Sequence, residues 1–271
     1  MSLNLDDVLF VATLVQKKAA IQIDASKQYL VESRLHALAL ELGLKSEAEL
    51  VLKLRRNGDA TLKERVVDAM TTNETLFFRD VHPYETLRTT IVPELVKARA
   101  SAPINIWSAA CSTGQEPYSL ALLLSEHFPA LGRGGVRITA TDISNRVLDQ
   151  ARAGRYTQAE VNRGLPAPLL VKHFKQDKGH WQLGEHVRQL VDFRNVNLVE
   201  AWPFATQFDL VLVRYVMVYF DHATRVALLE RIRRSMRPGA YLLLGGAELL
   251  DPDVQGFERL TLGRSVVFRR T

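Results

Sequence analysis

The sequence of 271 residues lacks the residue types that build disulfide frameworks and common metal centres. Its one cysteine, Cys111, excludes an internal disulfide and a zinc site made of several cysteines. Its seven histidines are scattered without H-E-x-x-H spacing, so no metal site is expected. No apolar run approaches the roughly 20 residues of a membrane-spanning helix. Asp6 and Asp7 stand where a signal peptide would be basic, which predicts a soluble cytoplasmic protein without membrane insertion.

Net charge gives little support for a nucleic-acid partner. The formal charge is +5, of which residues 1–80 carry −1 and residues 81–271 carry +6. The densest basic cluster stands on a predicted helix that ends at Pro238-Gly239, and consists of Arg231, Arg233, Arg234 and Arg237. Basic residues at the end of a helix complement its dipole, and no aromatic residues alternate with these arginines as they would in a groove for single strands. The sequence therefore predicts no nucleic-acid partner.

Residues 1–80 have the apolar period of helices throughout. Apolar residues recur at three- and four-residue intervals in three successive stretches, and strand-like runs are absent. Gly43 and Gly58 stand where the second and third helices should stop. We expect an all-helical N-terminal domain over residues 1–70, followed by a linker over residues 71–90.

From about residue 103 the pattern changes to strands that alternate with helices. Strand-like runs occupy residues 104–110, 136–143, 191–198, 208–216 and 240–246. Because connections of this length join parallel strands through helices, residues 91–271 are predicted to form an α/β domain with a doubly wound, mostly parallel, Rossmann-like sheet.

Two stretches depart from this alternation. Residues 155–190 are polar and interrupted by proline and glycine, which predicts a small inserted subdomain. No helix is evident between residues 240–246 and the apolar run at 265–271. The final strand is therefore predicted to turn back antiparallel.

The loop after the first strand of such a sheet is the expected place for a ligand. It reads S-A-A-C-S-T-G-Q-E-P-Y-S from Ser108 to Ser119, and its small residues would let a ligand approach the backbone. Gly114 is its only glycine, so the loop has neither the G-x-G-x-x-G fingerprint nor the G-K-[ST] of a P-loop. A cofactor without phosphates fits this loop better than a dinucleotide.

Two carboxylates near this loop allow both a functional and a structural interpretation. Asp142 ends the second strand, where an acidic residue would hold ribose hydroxyls; alternatively, Asp142 or Ser144 caps the helix that follows. Glu116 stands three residues after Thr113, which is also the spacing of a capping box. The spacing alone leaves both residues open.

The segment T-T-N-E-T-L-F-F-R-D, residues 71–80, and Cys111 also have two interpretations. A helix cap followed by a hydrophobic anchor would explain most of the segment, with Arg79 paired to Asp80. Cys111 has no histidine or acid partner in the sequence that would make it a nucleophile, so a structural, buried cysteine is favoured.

Taken together, the motifs resemble those of the chemotaxis receptor methyltransferases (CheR). The resemblance rests on TTNETLFFRD, WSAACSTGQEPYSLA, ATDIS with VLDQARAGRY, VNL at 196–198, FDLVLVRYVMVYF and RPGAYLLLG. It implies transfer of a methyl group from S-adenosylmethionine to glutamates of chemoreceptor cytoplasmic domains, with S-adenosylhomocysteine as the second product. It also implies a helical domain joined to a methyltransferase sheet with a small β-rich insert.

The family's functional residues carry over by position. Cofactor contacts are implied for Asn73, Thr75, Arg79, Glu116, Asp142, Asn197, Leu198, Tyr215 and Val216. Arg79 and Tyr219 match the two residues placed beside the transferring methyl, and are the predicted catalytic residues. Tyr215 departs from the family, which has asparagine at that position.

Two further departures concern the receptor. The second helix keeps Lys27 and Arg34 but is less basic than in members that dock an acidic receptor face. The loop at 175–186 is short for members that grip a receptor's C-terminal pentapeptide, so methylation is predicted to be independent of that peptide. The alternatives are a methyltransferase of a non-chemotactic signalling pathway and a cofactor-binding module with little activity.

Overall fold

The computed structural model describes residues 3–24, 27–57, 59–100 and 102–271, apart from the side chains of residues 57 and 133. The chain divides into two compact units. One contains the residues up to Thr72 together with Tyr219–Thr224, and the other contains Asn73–Val218 and Arg225–Thr271. Among the described helices, none combines the length and apolar character that crossing a bilayer requires. The predicted stop at Gly58 lies outside the described residues.

The first unit is built from helices, as predicted. They are α1 (Leu5–Ala19), α2 (Gln28–Glu41), α3 (Glu47–Asn57) and α4 (Ala60–Met70). The side chain of Asn4 accepts the amide of Asp7 at the start of α1, and Gly43 has φ +71° just beyond the end of α2. Val11, Leu35 and other fully buried aliphatic side chains form the core of this unit.

Arg34 is committed to contacts inside this first unit. Its guanidinium donates to the carbonyl of Met70 at 2.6 Å and to Oγ1 of Thr72 at 3.0 Å, where α4 ends. Burial lowers the pKa of the Arg34 guanidinium from its ordinary value. Arg34 therefore caps the C-terminus of α4. Its place on the second helix suggested a free arginine for docking, but its guanidinium is engaged in these bonds.

The second unit contains one large sheet and one small sheet. The strands are β1 (Ile104–Ala109), β2 (Val136–Asp142), β3 (Arg155–Thr157), β4 (Phe174–Asp177), β5 (His180–Leu183), β6 (Val191–Asn195), β7 (Phe208–Val213), β8 (Met236–Leu244), β9 (Phe257–Leu262) and β10 (Ser265–Arg270). The large sheet has the order β6-β2-β1-β7-β8-β10-β9, and its first five strands are parallel. The doubly wound, mostly parallel sheet is confirmed.

Helices connect these strands. They are α5 (His82–Thr86), α6 (Val92–Arg99), α7 (Gln115–His127), α8 (Gly132–Gly135), α9 (Asn145–Ala153), α10 (Gln158–Asn162), α11 (Ala167–His173), α12 (Glu185–Arg188) and α13 (His222–Ser235). A π-helical turn at Leu87–Ile91 joins α5 to α6, next to Pro93, which has no amide hydrogen to donate. The buried helix α7 follows β1 through a short loop, so its first turn begins near the end of that strand.

The C-terminal part of the sheet differs from the sequence prediction in two respects. β10 does run antiparallel to β8, as predicted, but β9 was missed. Most side chains of this edge strand are exposed or half-buried, so it lacks an apolar run. In addition, α13 ends at Ser235, which places Arg237 in β8 rather than on the helix, where it pairs with the buried Asp209 at 3.3 Å.

Two arginines of α13 have partners within the protein. Arg231 donates to the carbonyl of Leu198 at 3.1 Å and lies over the ring of Trp202 at 4.2 Å. Arg233 pairs with Glu230 one turn away at 3.0 Å. These contacts agree with a structural function for this cluster.

The insert is a three-stranded antiparallel sheet with the order β3-β5-β4. Phe77 of the linker is fully buried against it, with its ring 5.1 Å from Tyr156 and 5.9 Å from Phe174. Gly164 has φ +89°, and a Cβ there would lie 2.0 Å from the carbonyl oxygen of Phe77. The linker is therefore anchored at Phe77, and only glycine allows the insert to approach it so closely.

Candidate active site

The five parallel strands end at one edge of the large sheet, on both sides of the point where the strand order changes direction between β1 and β7. This is where open α/β sheets bind ligands. The backbone there adopts left-handed conformations, with φ +55° at Ala110, +51° at Ser112 and +60° at Tyr215. Such conformations cost about 1–3 kcal/mol each in residues other than glycine and concentrate at functional sites.

Asp142 lies at the end of β2 with only 6% of its surface exposed. One carboxylate oxygen accepts the amide of Ser112 at 2.8 Å, and the other accepts the amide of Ser144 at 3.0 Å. The cap of α9 is Ser144, whose hydroxyl accepts the amide of Val147. Asp142 therefore fixes the loop after β1 and does not itself cap α9.

Glu116 does not form the capping box that its spacing allowed. The residue at the cap of α7 is Gly114, which offers no side chain. One oxygen of Glu116 accepts the hydroxyl of Ser108 at 2.8 Å, and the other pairs with Arg214 at 3.0 Å. The carboxylate thus faces the ends of β1 and β7.

Arg214, the first residue after β7, is the centre of an ion-pair network that the sequence interpretation missed. Its side chain is 1% exposed, and one amino group donates to Asp80 at 2.6 Å and to the carbonyl of Arg79 at 2.9 Å. Burial disfavours the charge, but Glu116, Tyr84 and Asp80 hold the pKa of Arg214 above its ordinary value. Through Asp80 and Glu116, Arg214 joins the linker to the loop and helix that follow β1.

Arg79 is not paired with Asp80, as one interpretation of the sequence proposed. Its guanidinium lies over the ring of Tyr215, with 3.4 Å between the guanidinium carbon and the ring centroid, and donates to the carbonyl of Glu74 at 3.3 Å. The hydroxyl of Tyr215 donates to Asp80. Burial and this bond to Asp80 raise the pKa of Tyr215, so the phenol stays protonated.

Glu248 was also missed by the sequence interpretation. Its carboxylate accepts the amides of Tyr215 at 2.7 Å, Met217 at 3.0 Å and Gly245 at 2.8 Å. Three amides on one carboxylate fix the turn after β7 to the turn after β8. The only available signal was an acidic residue soon after a strand end, which is too common to identify such a function.

The remaining predicted cofactor residues lie on three segments of the same unit. The carbonyl of Asn73 accepts the hydroxyl of Ser112 at 2.7 Å, and Thr75 lies half-buried in the extended part of the linker. Asn197 accepts the amide of Val199 in a turn after β6. Leu198 is buried and Val216 half-buried, next to Arg231 and Tyr215 respectively.

Tyr219 is grouped with the helical unit. Its carbonyl accepts the amide of Gln22 at 2.9 Å, at the end of a short 3-10 turn formed by Met217–Tyr219. Its function beside the transferring methyl stays a prediction.

Cys111 is fully buried in the cofactor loop. Burial raises the pKa of its thiol well above the ordinary value, and the nearby Asp142 and Glu116 raise it further. A thiol held protonated is a poor nucleophile, so the structural interpretation of Cys111 is supported.

Comparison with known families identifies both units. The family described as "CheR methyltransferase, SAM binding domain" matches residues 73–266, and "CheR methyltransferase, all-alpha domain" matches residues 6–71. The chain belongs to the CheR methyltransferase family. It is an S-adenosylmethionine-dependent chemotaxis methyltransferase.

Relatives are similar to this CheR chain over nearly its full length. Chemotaxis protein methyltransferase 1 of Pseudomonas aeruginosa is 39% identical over 98% of both chains. Chemotaxis protein methyltransferase Cher2 of Pseudomonas putida is 36% identical, also over 98% of both. Chemotaxis protein methyltransferase 1 of Vibrio cholerae is 38% identical over 94% of this chain and 93% of its own.

The acceptor groups of the site fit S-adenosylmethionine by their chemistry. That cofactor carries a cationic sulfonium, an ammonium group and two ribose hydroxyls, all of which carboxylates can bind. Asp142 at the end of β2 and Glu116 in the first turn of α7 supply two carboxylates, and a carboxylate offers about four acceptor positions. The cofactor has no phosphate, which agrees with a loop that has Gly114 as its only glycine.

Proposed function

We propose that this CheR methyltransferase transfers methyl groups from S-adenosylmethionine to glutamate side chains of chemoreceptor cytoplasmic domains, giving methyl esters. The observation that carries this proposal is the position of Arg79. Its guanidinium is held on the Tyr215 ring, next to the network of Asp80, Arg214 and Glu116 at the strand ends. A cation fixed at this edge is suited to orienting a carboxylate acceptor. The names of the relatives, chemotaxis protein methyltransferases, support the same pathway.

The reaction needs little acid–base chemistry from the protein. A glutamate carboxylate has a pKa of about 4.3 and is already ionised at neutral pH. The bound cofactor supplies a methyl carbon activated by its sulfonium. What the chain contributes is alignment, which can lower a barrier by about 7–11 kcal/mol.

In this proposal, different residues near the strand ends position the cofactor and the acceptor carboxylate. Asp142 and Glu116 hold the cofactor, and the segment at Asn197 and Leu198 lies beside its base. Arg79 orients the attacking carboxylate. Such a mechanism needs no nucleophile–base pair, because the acceptor is already ionised.

The test is transfer of labelled methyl from the cofactor to purified receptor cytoplasmic fragments. Glutamate methyl esters release methanol in mild base, whereas methyl groups on nitrogen do not, so the expected label is volatile after base treatment. Label stable to base would contradict glutamate as the acceptor. Calorimetric binding of the cofactor without any transfer would instead support the binding-module alternative.

The receptor is expected to dock on the outer face of α2. Because residues three and four apart share one side of a helix, the exposed residues Tyr29, Ser33, Ala37 and Leu40 lie on one face. Tyr29 is 71% exposed and Leu40 is 60% exposed. We assign recognition to this face in place of Arg34, which is engaged at the end of α4.

Methylation is predicted to proceed without a C-terminal pentapeptide on the receptor. Peptides that add a strand gain affinity from main-chain hydrogen bonds along a sheet edge. Within the described residues, β3 and β4 each pair with β5 alone, and they offer edges of only three and four residues. Deleting the receptor tail should change the methylation rate by less than about twofold, given so short a ladder.

The rate on full-length and tail-deleted receptor is measured beside a titration of the free pentapeptide. Binding in the micromolar range, or a large loss of rate on the deleted receptor, would show that the insert does capture the tail.

A further inference from the structure

We propose that Tyr215 is the positioning residue for Arg79, through the flat face of its ring. This rests on the proposed function, in which Arg79 orients the acceptor carboxylate. The stack joins Arg79 of the linker to Tyr215 in the turn after β7.

The ring of Tyr215 is fixed from several directions. Its backbone amide donates to Glu248 at 2.7 Å. Its hydroxyl donates to Asp80 and accepts the amide of Gly246 at 3.3 Å. Asp80 is itself held by the buried Arg214 at 2.6 Å. A ring fixed at both ends is a rigid platform.

Arg79 rests on this platform with few other restraints. The guanidinium carbon is 3.4 Å from the ring centroid, a stacked cation–π geometry, and the hydrogen bond from the side chain to the carbonyl of Glu74 is long at 3.3 Å. A planar guanidinium stacked on a ring keeps its edge available for a carboxylate. The stack therefore sets the plane in which Arg79 meets the acceptor.

The backbone conformation of Tyr215 indicates that the contacts of its side chain contribute to stability. Its φ of +60° is left-handed, a conformation that asparagine adopts readily and that costs an aromatic residue free energy. A tyrosine in this conformation loses backbone stability relative to asparagine, and the contacts of its ring and hydroxyl offset that loss.

The experiment compares Tyr215→Leu, Tyr215→Phe and Tyr215→Trp for methyl transfer to a receptor cytoplasmic fragment and for calorimetric binding of S-adenosylhomocysteine. We expect kcat to fall about tenfold in Tyr215→Leu, because a cation–π contact and its alignment are lost. The Kd of S-adenosylhomocysteine should stay within about threefold, because the ring is assigned to Arg79 and not to the cofactor contact that the family resemblance implies for Tyr215. Phe and Trp keep a ring but lose the hydroxyl bond to Asp80, so they should restore part of kcat and not all of it.

A double-mutant cycle with Arg79→Lys distinguishes a loss of Arg79 positioning from a general loss of folded structure. Lysine has no plane to stack, so Arg79→Lys should lower kcat in the wild-type background and change it little in the Tyr215→Leu background. The matched control is Phe10→Leu, which removes a similar stack of Arg55 on Phe10, at 4.2 Å in the helical unit, and should leave kcat unchanged.

Three results would overturn the proposal. These are an unchanged kcat in Tyr215→Leu, additive effects in the cycle, and a tighter Kd with unchanged kcat, which would mean that the stack competes with the cofactor. Failure of the proposed function is distinguishable, because the wild-type protein would then bind S-adenosylhomocysteine but label no receptor.

Discussion

The free energy of unfolding of the Arg214→Met variant should fall by about 3–5 kcal/mol, the usual result of removing one partner from a buried ion pair. The reason is that Glu116 and Asp80 would lose their cation at a position where the arginine is 1% exposed. The measurement is urea denaturation followed by tryptophan fluorescence. All three tryptophans, at 107, 181 and 202, lie in the unit that contains Arg214.

Arg233→Met is the matched control for this experiment. Arg233 pairs with Glu230 one turn along α13, and both side chains are more than a quarter exposed. Removing such a pair should cost less than about 1 kcal/mol. Arg214→Lys should lie between the two, because lysine keeps the charge but cannot bridge two carboxylates with a planar fork. A loss below 1 kcal/mol for Arg214→Met would mean that the network does not organise the site.

The affinity for S-adenosylmethionine should fall about 10- to 100-fold in Asp142→Asn, the range of one charge-assisted hydrogen bond. Asparagine keeps one acceptor oxygen, so at least one of the two amides, from Ser112 and Ser144, keeps its partner. Asp142→Ala would leave both amides without that carboxylate, and its effect on binding would be mixed with a loss of stability. The asparagine variant therefore isolates the contact with the cofactor.

Calorimetry measures this affinity, and thermal unfolding of the same samples measures the stability. Asp192→Asn serves as the control, since Asp192 pairs with Arg194 on the exposed edge strand β6. If Asp142→Asn binds the cofactor as tightly as the wild type, Asp142 is a structural anchor of the cofactor loop and not its ribose acceptor.

How much could be predicted from the sequence depended on whether the signal was local. β1, β2 and β7 are largely buried, and their positions were predicted to within about three residues. β9 has few buried residues and follows a loop that contains Gly256, so no pattern marked it. Its position is determined by pairing with β10.

The candidate site shows the same division. Asp142 was found because it ends a strand, and that position is visible in the chain. The bonds of Arg214 to Glu116 and Asp80 join residues 98 and 134 positions apart, and no spacing rule covers such distances. Glu116 shows the opposite problem, because a local rule allowed a capping box where a distant arginine pairs with the carboxylate.

The strand order has a consequence for the kinetics of folding. β1 is paired on one side with β2, about 30 residues away, and on the other side with β7, about 100 residues away after the whole insert. Closing so long a loop costs more chain entropy and is slow in folding. The centre of the sheet should therefore close late, after the β1–β2 half has formed. Trp107 of β1 stacks on Phe208 of β7 with ring centroids 5.4 Å apart, so its fluorescence would report that late step during refolding.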